Sequence, residues 1–307
     1  MTSPTAPCTE SAQFATPGKA TRGRKSPACV AVALGLAALS WNAAAQDAPP
    51  PRTALRVCQD PNNLPFSNTK GEGIENRIAD LFGKSMGLPV VYYSFPQRLA
   101  FIRNTLRFKL PGQDYPCDIV IGVPAGYDQV SATKPYYHST YALVFAKGKG
   151  LDGVKSGEDF LQLDPAVLAK LRIGLYDASP ASAWLAKHKL VERGVPYKIM
   201  NADPDQYPGQ IIENDLASGK LDAAIVWGPI AGYYAKRVKT PELAVVPLKS
   251  ERGVQFDYQI AMGVRYGERP WKQQVEGLID ANQAGIQAIL KEYGVPLVDA
   301  SFETPKQ

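Results

Sequence analysis

The 307 residues contain only four cysteines and two histidines, and their placement does not suit catalysis or metal binding. The chain carries no G-x-S-x-G turn and no G-x-x-x-x-G-K-[ST] loop. His138 and His188 stand at no ligand-like spacing from any cysteine, so no metal centre is expected. Neither histidine has an evident partner, and neither Cys58 nor Cys117 has a neighbouring base to hold it as a thiolate. No catalytic residue and no cofactor of the protein's own is expected. What remains is recognition chemistry. Asn62 and Asn63, in Asp60-Pro-Asn-Asn-Leu-Pro-Phe66, present donors and acceptors to a ligand or cap a turn. Phe66 is a pocket wall or a core residue. Gln97, Arg98 and Arg103 open an expected helix, and a guanidinium grips carboxylate or phosphate through two parallel hydrogen bonds.

Charge argues against a polyanionic partner. The net charge is +5, but Lys19, Arg22, Arg24 and Lys25 against Glu10 place +3 of it within residues 1–45. The remainder is nearly balanced and offers no footprint for nucleic acid. Arg22-Gly-Arg-Lys25, the apolar run from Ala28 to Trp41, and Ala43-Ala-Ala45 together read as a secretory leader cleaved after Ala45. The run falls short of the roughly 20 apolar residues of a membrane span, and nothing later approaches one. The expected mature protein is periplasmic. It keeps Cys58 and Cys117, which an oxidising compartment would join, closing a loop of about 60 residues worth 3–4 kcal/mol. Against the bridge, Cys58 ends one expected strand while Cys117 begins another, out of register if the two run parallel. Both states stay open.

Residues 46–53 are Pro-rich and read as a flexible lead-in. Strands are expected at Leu55–Cys58, Val90–Ser94 and Asp118–Gly122, with helices over Gly73–Met86 and Leu99–Phe108 between them. The pattern returns with strands at Leu171–Leu175, Tyr197–Met200 and Leu221–Trp227 and helices at Pro180–Leu190 and Ile211–Ser218. Such alternation calls for mostly parallel sheets flanked by helices, an α/β class with two similar lobes. Tyr141–Phe145 and Tyr258–Val264 would form a two-segment hinge. The division is then lobe 1 over 54–144, lobe 2 over 145–256, and 257–307 returning to lobe 1 through a last helix, Trp271 to Tyr293. Ligands of open α/β sheets sit beyond the carboxyl ends of the strands, which here is the interlobe cleft.

This plan resembles the type II periplasmic binding proteins. Four motifs narrow the resemblance: Cys58-Gln-Asp-Pro-Asn-Asn-Leu-Pro-Phe-Ser-Asn68, Gln97-Arg98-x-x-Phe101-x-Arg103-x-Thr105, Cys117-Asp-Ile-Val-Ile-Gly-Val-Pro124 and Val226-Trp-Gly-Pro-Ile-Ala-Gly-Tyr233. Together they are similar to the MoxJ/XoxJ family, the binding-protein-like accessories of quinoprotein methanol and alcohol dehydrogenases. The resemblance implies no catalysis. It implies non-covalent binding to a PQQ-dependent dehydrogenase, with its cytochrome c as a further possible partner, in maturation or activation.

Amino-acid receptors of this fold usually carry an arginine after the third strand and an aspartate after the later Leu-Asp-Ala-Ala-Ile-Val strand. Here those places read Gly122-Val-Pro-Ala-Gly-Tyr-Asp-Gln-Val130 and Trp227-Gly228-Pro229. A zwitterion would lie there with its charges unpaired, at several kcal/mol each if buried. The expected cleft edge is aromatic instead: Phe66, Tyr127, Tyr136, Tyr137, Trp227, Tyr233 and Tyr234. Such an edge suits a planar or sugar-like solute, or an inserted protein segment. Ser179, an N-cap before Pro180, either closes its helix or helps hold an anion. Two rival readings remain: an ABC-transporter receptor for a small non-amino-acid solute, and a carbon–oxygen lyase using Glu72, Glu75 or Asp177.

Overall fold

The computed structural model describes residues 51–97, 100–198 and 206–302. The leader expected over 1–45, and most of the lead-in, lie outside them. The chain enters through β1 (Leu55–Gln59) and a two-residue hairpin, β2 (Asn62–Asn63) with β3 (Ser67–Asn68). Helix α1 (Ile74–Met86) follows. Its apolar positions Ile74, Ile78, Ala79 and Phe82 share one buried face. The Asn76 side chain closes the helix start, accepting from the backbone N–H of Gly73 and of Asn68. Gly73 is required there, because a Cβ would stand 2.0 Å from the Phe66 carbonyl oxygen.

Strand β4 (Val90–Ser94) pairs parallel with β1. The expected helix over 99–108 shrinks to one turn, α2 (Phe101–Asn104). Thr105 leaves helical geometry (φ −127°), and its hydroxyl donates back to the Phe101 carbonyl, a local bond that competes with helix propagation. Then come β5 (Val120–Pro124), β6 (Ser131–Ala132) and the long β7 (Tyr137–Ala146). Short helices α3 (Gly157–Leu161) and α4 (Pro165–Leu168) lead into β8 (Ile173–Tyr176), α5 (Pro180–Lys187) and β9 (Gly194–Tyr197). Strand β9 ends at Tyr197, where the sequence pattern predicts a strand to begin. A π-helical segment, Ile211–Leu216, stands where an α-helix is expected and precedes β10 (Ala223–Trp227). Helix α6 (Gly228–Arg237), not anticipated, and β11 (Leu243–Pro247) lead to β12 (Asp257–Val264). The expected final helix is two, α7 (Arg269–Ala281) and α8 (Gln283–Glu292), broken at Asn282, whose side chain donates back to the Leu278 carbonyl.

The main sheet runs β5-β12-β7-β10-β8-β9, with β11 also on β7 and β6 on β12. It is mixed. Parallel pairs (β8 with β9 and β10) flank antiparallel ones around β7 and β12. Strand β7 serves both halves: Tyr137–Thr140 pair with β12, and the stretch from Tyr141 onward pairs with β10 and β11. One core cluster joins α1, α7 and α8 to β1, β5 and β12. Two others cover the faces of the β7-β10-β8 part.

Cys58 and Cys117 are bridged, with Cα atoms 5.3 Å apart. The register objection fails because Cys117 precedes β5 and lies outside its ladder. Beside it, Asp118 is buried among Arg52, Arg56 and Arg265, which approach to 2.6, 2.8 and 2.5 Å. Burial pushes the Asp118 carboxyl up, but the hydrogen bonds from Arg56 and Arg265 and the charge of Arg52 outweigh it and hold the pKa below the ordinary value.

Candidate functional site

Strands β8, β9 and β10 are neighbours, and each ends in an aromatic residue: Tyr176, Tyr197 and Trp227. These three rings, with Tyr141 from β7 and Tyr207, wall a cavity of about 350 Å³. The rings brace one another. Trp227 and Tyr141 have centroids 5.5 Å apart, and Tyr176 meets Tyr197 edge to face at 6.4 Å. The opposite wall is the loop after β1, which contributes Asp60, Asn62 and Asn63, with Gln97 beside it. Asp60 organises that wall: it accepts from the backbone N–H of Asn62 at 2.9 Å and of Gln97 at 2.5 Å. The Asn63 amide donates to the Gln97 side-chain carbonyl at 2.5 Å. The Tyr234 hydroxyl, from α6, donates to the Leu64 carbonyl at 2.9 Å and ties that helix to the segment after β1.

The phenols stay neutral at ordinary pH. Burial pushes the Tyr141 hydroxyl up to about 12. Burial also raises Tyr207 to about 12, with its hydrogen bond to Glu213 adding to the effect. Tyr176 rises for the same desolvation reason, and its hydroxyl is engaged with the Pro208 carbonyl at 2.7 Å. Among the described lining residues the charged groups are Asp60 and Lys198. The cavity is therefore an aromatic, hydrogen-bonding box suited to a planar or amphipathic group.

A second cavity, about 300 Å³, adjoins it and shares Gln97, Tyr141 and Trp227. Phe66, Glu75, Gly122, Tyr137 and Tyr258 also line it. Among the described residues, no group of three or more His, Cys, Asp or Glu side chains is placed to hold a metal ion.

Of the residues singled out from sequence, Asn62, Asn63, Gln97 and Trp227 meet at the first cavity, and Phe66 lines the second. Four others stand elsewhere. Tyr136 is a core residue whose hydroxyl donates to the Ile121 carbonyl. Gly228 begins α6 against β7, where a Cβ would lie 2.2 Å from the Thr140 carbonyl oxygen. Tyr233 stacks on Tyr293 at 5.5 Å. Ser179 does precede α5 as its N-cap, but its buried hydroxyl makes no capping bond and has no partner among the described residues. Arg98 lies outside the described residues. Sequence reasoning missed Tyr141, Tyr176, Tyr197, Tyr207 and Lys198. The available signal was an aromatic at the carboxyl end of consecutive strands, hidden by the misplaced strand after Tyr197.

A mixed α/β sheet crossed by two long strands, with a cavity at the carboxyl ends of its parallel strands, defines a binding protein of the type II periplasmic fold. The crystal structure of the periplasmic binding protein XoxJ from Methylobacterium extorquens AM1 matches with a TM-score of 0.65 and 37% identity, over 80% of this chain and all of that one. The protein MoxJ of Methylorubrum extorquens is 29% identical over 309 residues, 91% of this chain and 98% of its own. MoxJ of Paracoccus denitrificans is 27% identical over 262 residues, 81% and 91% of the two chains. No family model matches the chain. The chain belongs to the MoxJ/XoxJ family of periplasmic-binding-protein-like proteins. No helix among the described residues is long and apolar enough to cross a membrane.

Proposed function

We propose that the protein is a periplasmic, non-catalytic accessory of a PQQ-dependent methanol or alcohol dehydrogenase. It holds part of that enzyme non-covalently in the cleft between lobes 54–144 and 145–256 during maturation or activation. Kinship with MoxJ and XoxJ carries the reading. The aromatic box at Tyr141, Tyr176, Tyr197, Tyr207 and Trp227 supports it, because such surfaces anchor protein segments through buried rings. The sequence, in turn, lacks the charged grips of an amino-acid receptor. The test is affinity capture from periplasmic extract with the tagged mature chain, followed by titration against apo- and holo-dehydrogenase. Recovery of a quinoprotein dehydrogenase, saturating at micromolar concentration or below, is expected. Failure to bind either form sinks the reading.

The size of the first cavity favours one alternative, an ABC-importer receptor, because about 350 Å³ falls in the range of small-molecule sites. That reading requires a solute that raises the melting temperature and compacts the protein in small-angle scattering.

A further inference from the structure

Glu75, the second residue of α1, turns its carboxyl into the second cavity. Its Oε1 lies over Gly122 of β5, 2.3 Å from where a Cβ would stand, so a side chain at 122 would displace it. The carboxyl has no hydrogen-bond or ion-pair partner among the described residues. No arginine, lysine or histidine lines the cavity among them either; the walls are Phe66, Tyr137, Tyr141, Trp227 and Tyr258, with Gln97 and apolar residues between. An unpaired carboxylate facing such walls costs several kcal/mol, a cost that fold stability alone gives no reason to retain. Aromatic faces carry negative π-density and attract a cation within about 6 Å of the ring. Trp227 stands between Tyr141 and Tyr258, at 5.5 and 5.8 Å, so three rings form one continuous run in the lining of the cavity that Glu75 also lines.

We propose that this cavity is a binding site for an alkylammonium group, with the Glu75 carboxylate as counter-ion and the Trp227, Tyr141 and Tyr258 rings as its cage. The inference goes beyond the accessory reading and holds whether or not a dehydrogenase is the partner. Two sources supply the same chemistry: a free organic amine, or the lysine side chain of a bound protein segment.

Proton release is coupled to binding. Burial, reinforced by the negative charge of Asp60, pushes the Glu75 carboxyl up to about 8, so near neutrality it is mostly protonated. The other titratable groups around it are Asp60 from the loop after β1, Tyr92 from β4, Tyr136 just before β7, Tyr137 and Tyr141 from β7, and Tyr258 from β12. The tyrosines are all raised above the ordinary phenol value. A cation selects the ionised acid, so its affinity climbs with pH roughly tenfold per unit below 8 and levels above it.

The test is calorimetric titration of the full chain at constant ionic strength, from pH 6 to 9, with n-butylammonium and tetramethylammonium chloride. Uncharged 1-butanol is the control. The ammonium probes are expected to bind at least about tenfold tighter than butanol, with the stated pH slope. Glu75→Gln is expected to abolish both the slope and the preference while keeping a cooperative melting transition. Trp227→Leu, which leaves Glu75 in place, keeps the slope and weakens the ammonium probes about tenfold. Competition by a lysine-containing peptide with blocked termini and a free ε-ammonium assigns the cation to a protein side chain, and tighter binding of tetramethylammonium assigns it to a free solute. Equal affinity for butanol, or an ammonium affinity indifferent to both pH and Glu75→Gln, overturns the proposal.

Discussion

Tyr141 and Trp227 are register partners on β7 and β10, their rings 5.5 Å apart, and each faces both cavities. The pair occupies the position where β7 passes from pairing with β12 to pairing with β10 and β11. One aromatic contact thus belongs at once to the sheet and to the recognition surface. Trp227→Ala is expected to weaken partner binding by about 2 kcal/mol, some thirtyfold, as loss of a central aromatic anchor does. Tyr233→Ala, which removes a ring outside both cavities, is expected to change the same titration by less than about threefold.

Glu75 makes stability fall as pH rises. Its folded pKa of about 8 lies above the unfolded value near 4.5, so between those limits the native state holds the extra proton and the unfolded state releases it. Thermal melts from pH 5 to 9 are expected to show Glu75→Gln gaining on the parent with increasing pH, by on the order of 1–3 kcal/mol at the alkaline end after allowance for its partial exposure. A constant difference across that range counts against the burial argument.

Asp118 has the opposite sign. Its folded pKa is depressed by Arg56, Arg265 and Arg52, so the stabilisation is fully present above the unfolded pKa and is lost as pH falls through the folded one. Asp118→Asn leaves three guanidinium groups around a neutral amide, and denaturant titration at pH 7 is expected to show a loss of about 3–5 kcal/mol.

The Cys58–Cys117 bridge closes a 59-residue separation that contains β1's end, α1, β4 and α2. Replacing both cysteines by serine is expected to cost about 3–4 kcal/mol, read as a lower urea midpoint that reducing agent does not lower further.

Alanine normally stabilises a helix relative to glycine by about 1 kcal/mol, but not at position 232. A Cβ there would sit 1.8 Å from the Gly294 carbonyl oxygen, where α6 meets the turn after α8. Gly232→Ala is expected to destabilise by about 1–3 kcal/mol in denaturant titration. A more stable variant would mean that the α6–α8 contact is looser than this geometry.

The α/β alternation, the apolar face of α1 and the strand cores at 55–59, 90–94 and 223–227 were legible because each is a local pattern. The four motifs were equally local, and they sufficed for the family. Asn62, Asn63, Gln97 and Trp227 fall together at the first cavity because a loop beyond a strand end faces the ligand side of such a sheet. The sequence could not tell that Tyr136 turns its hydroxyl to Ile121 while Tyr141, five residues on, faces both cavities; that depends on which strand lies on each side of β7. The bridge depended in the same way on where Cys117 falls outside the ladder. Local periodicity therefore determined the elements and their class. The assembly of Tyr176, Tyr197 and Trp227 into one wall, and the placement of Glu75 in the cavity beside it, were decided only by strand order and long-range packing, because residues far apart in sequence share a site only once the sheet brings them together.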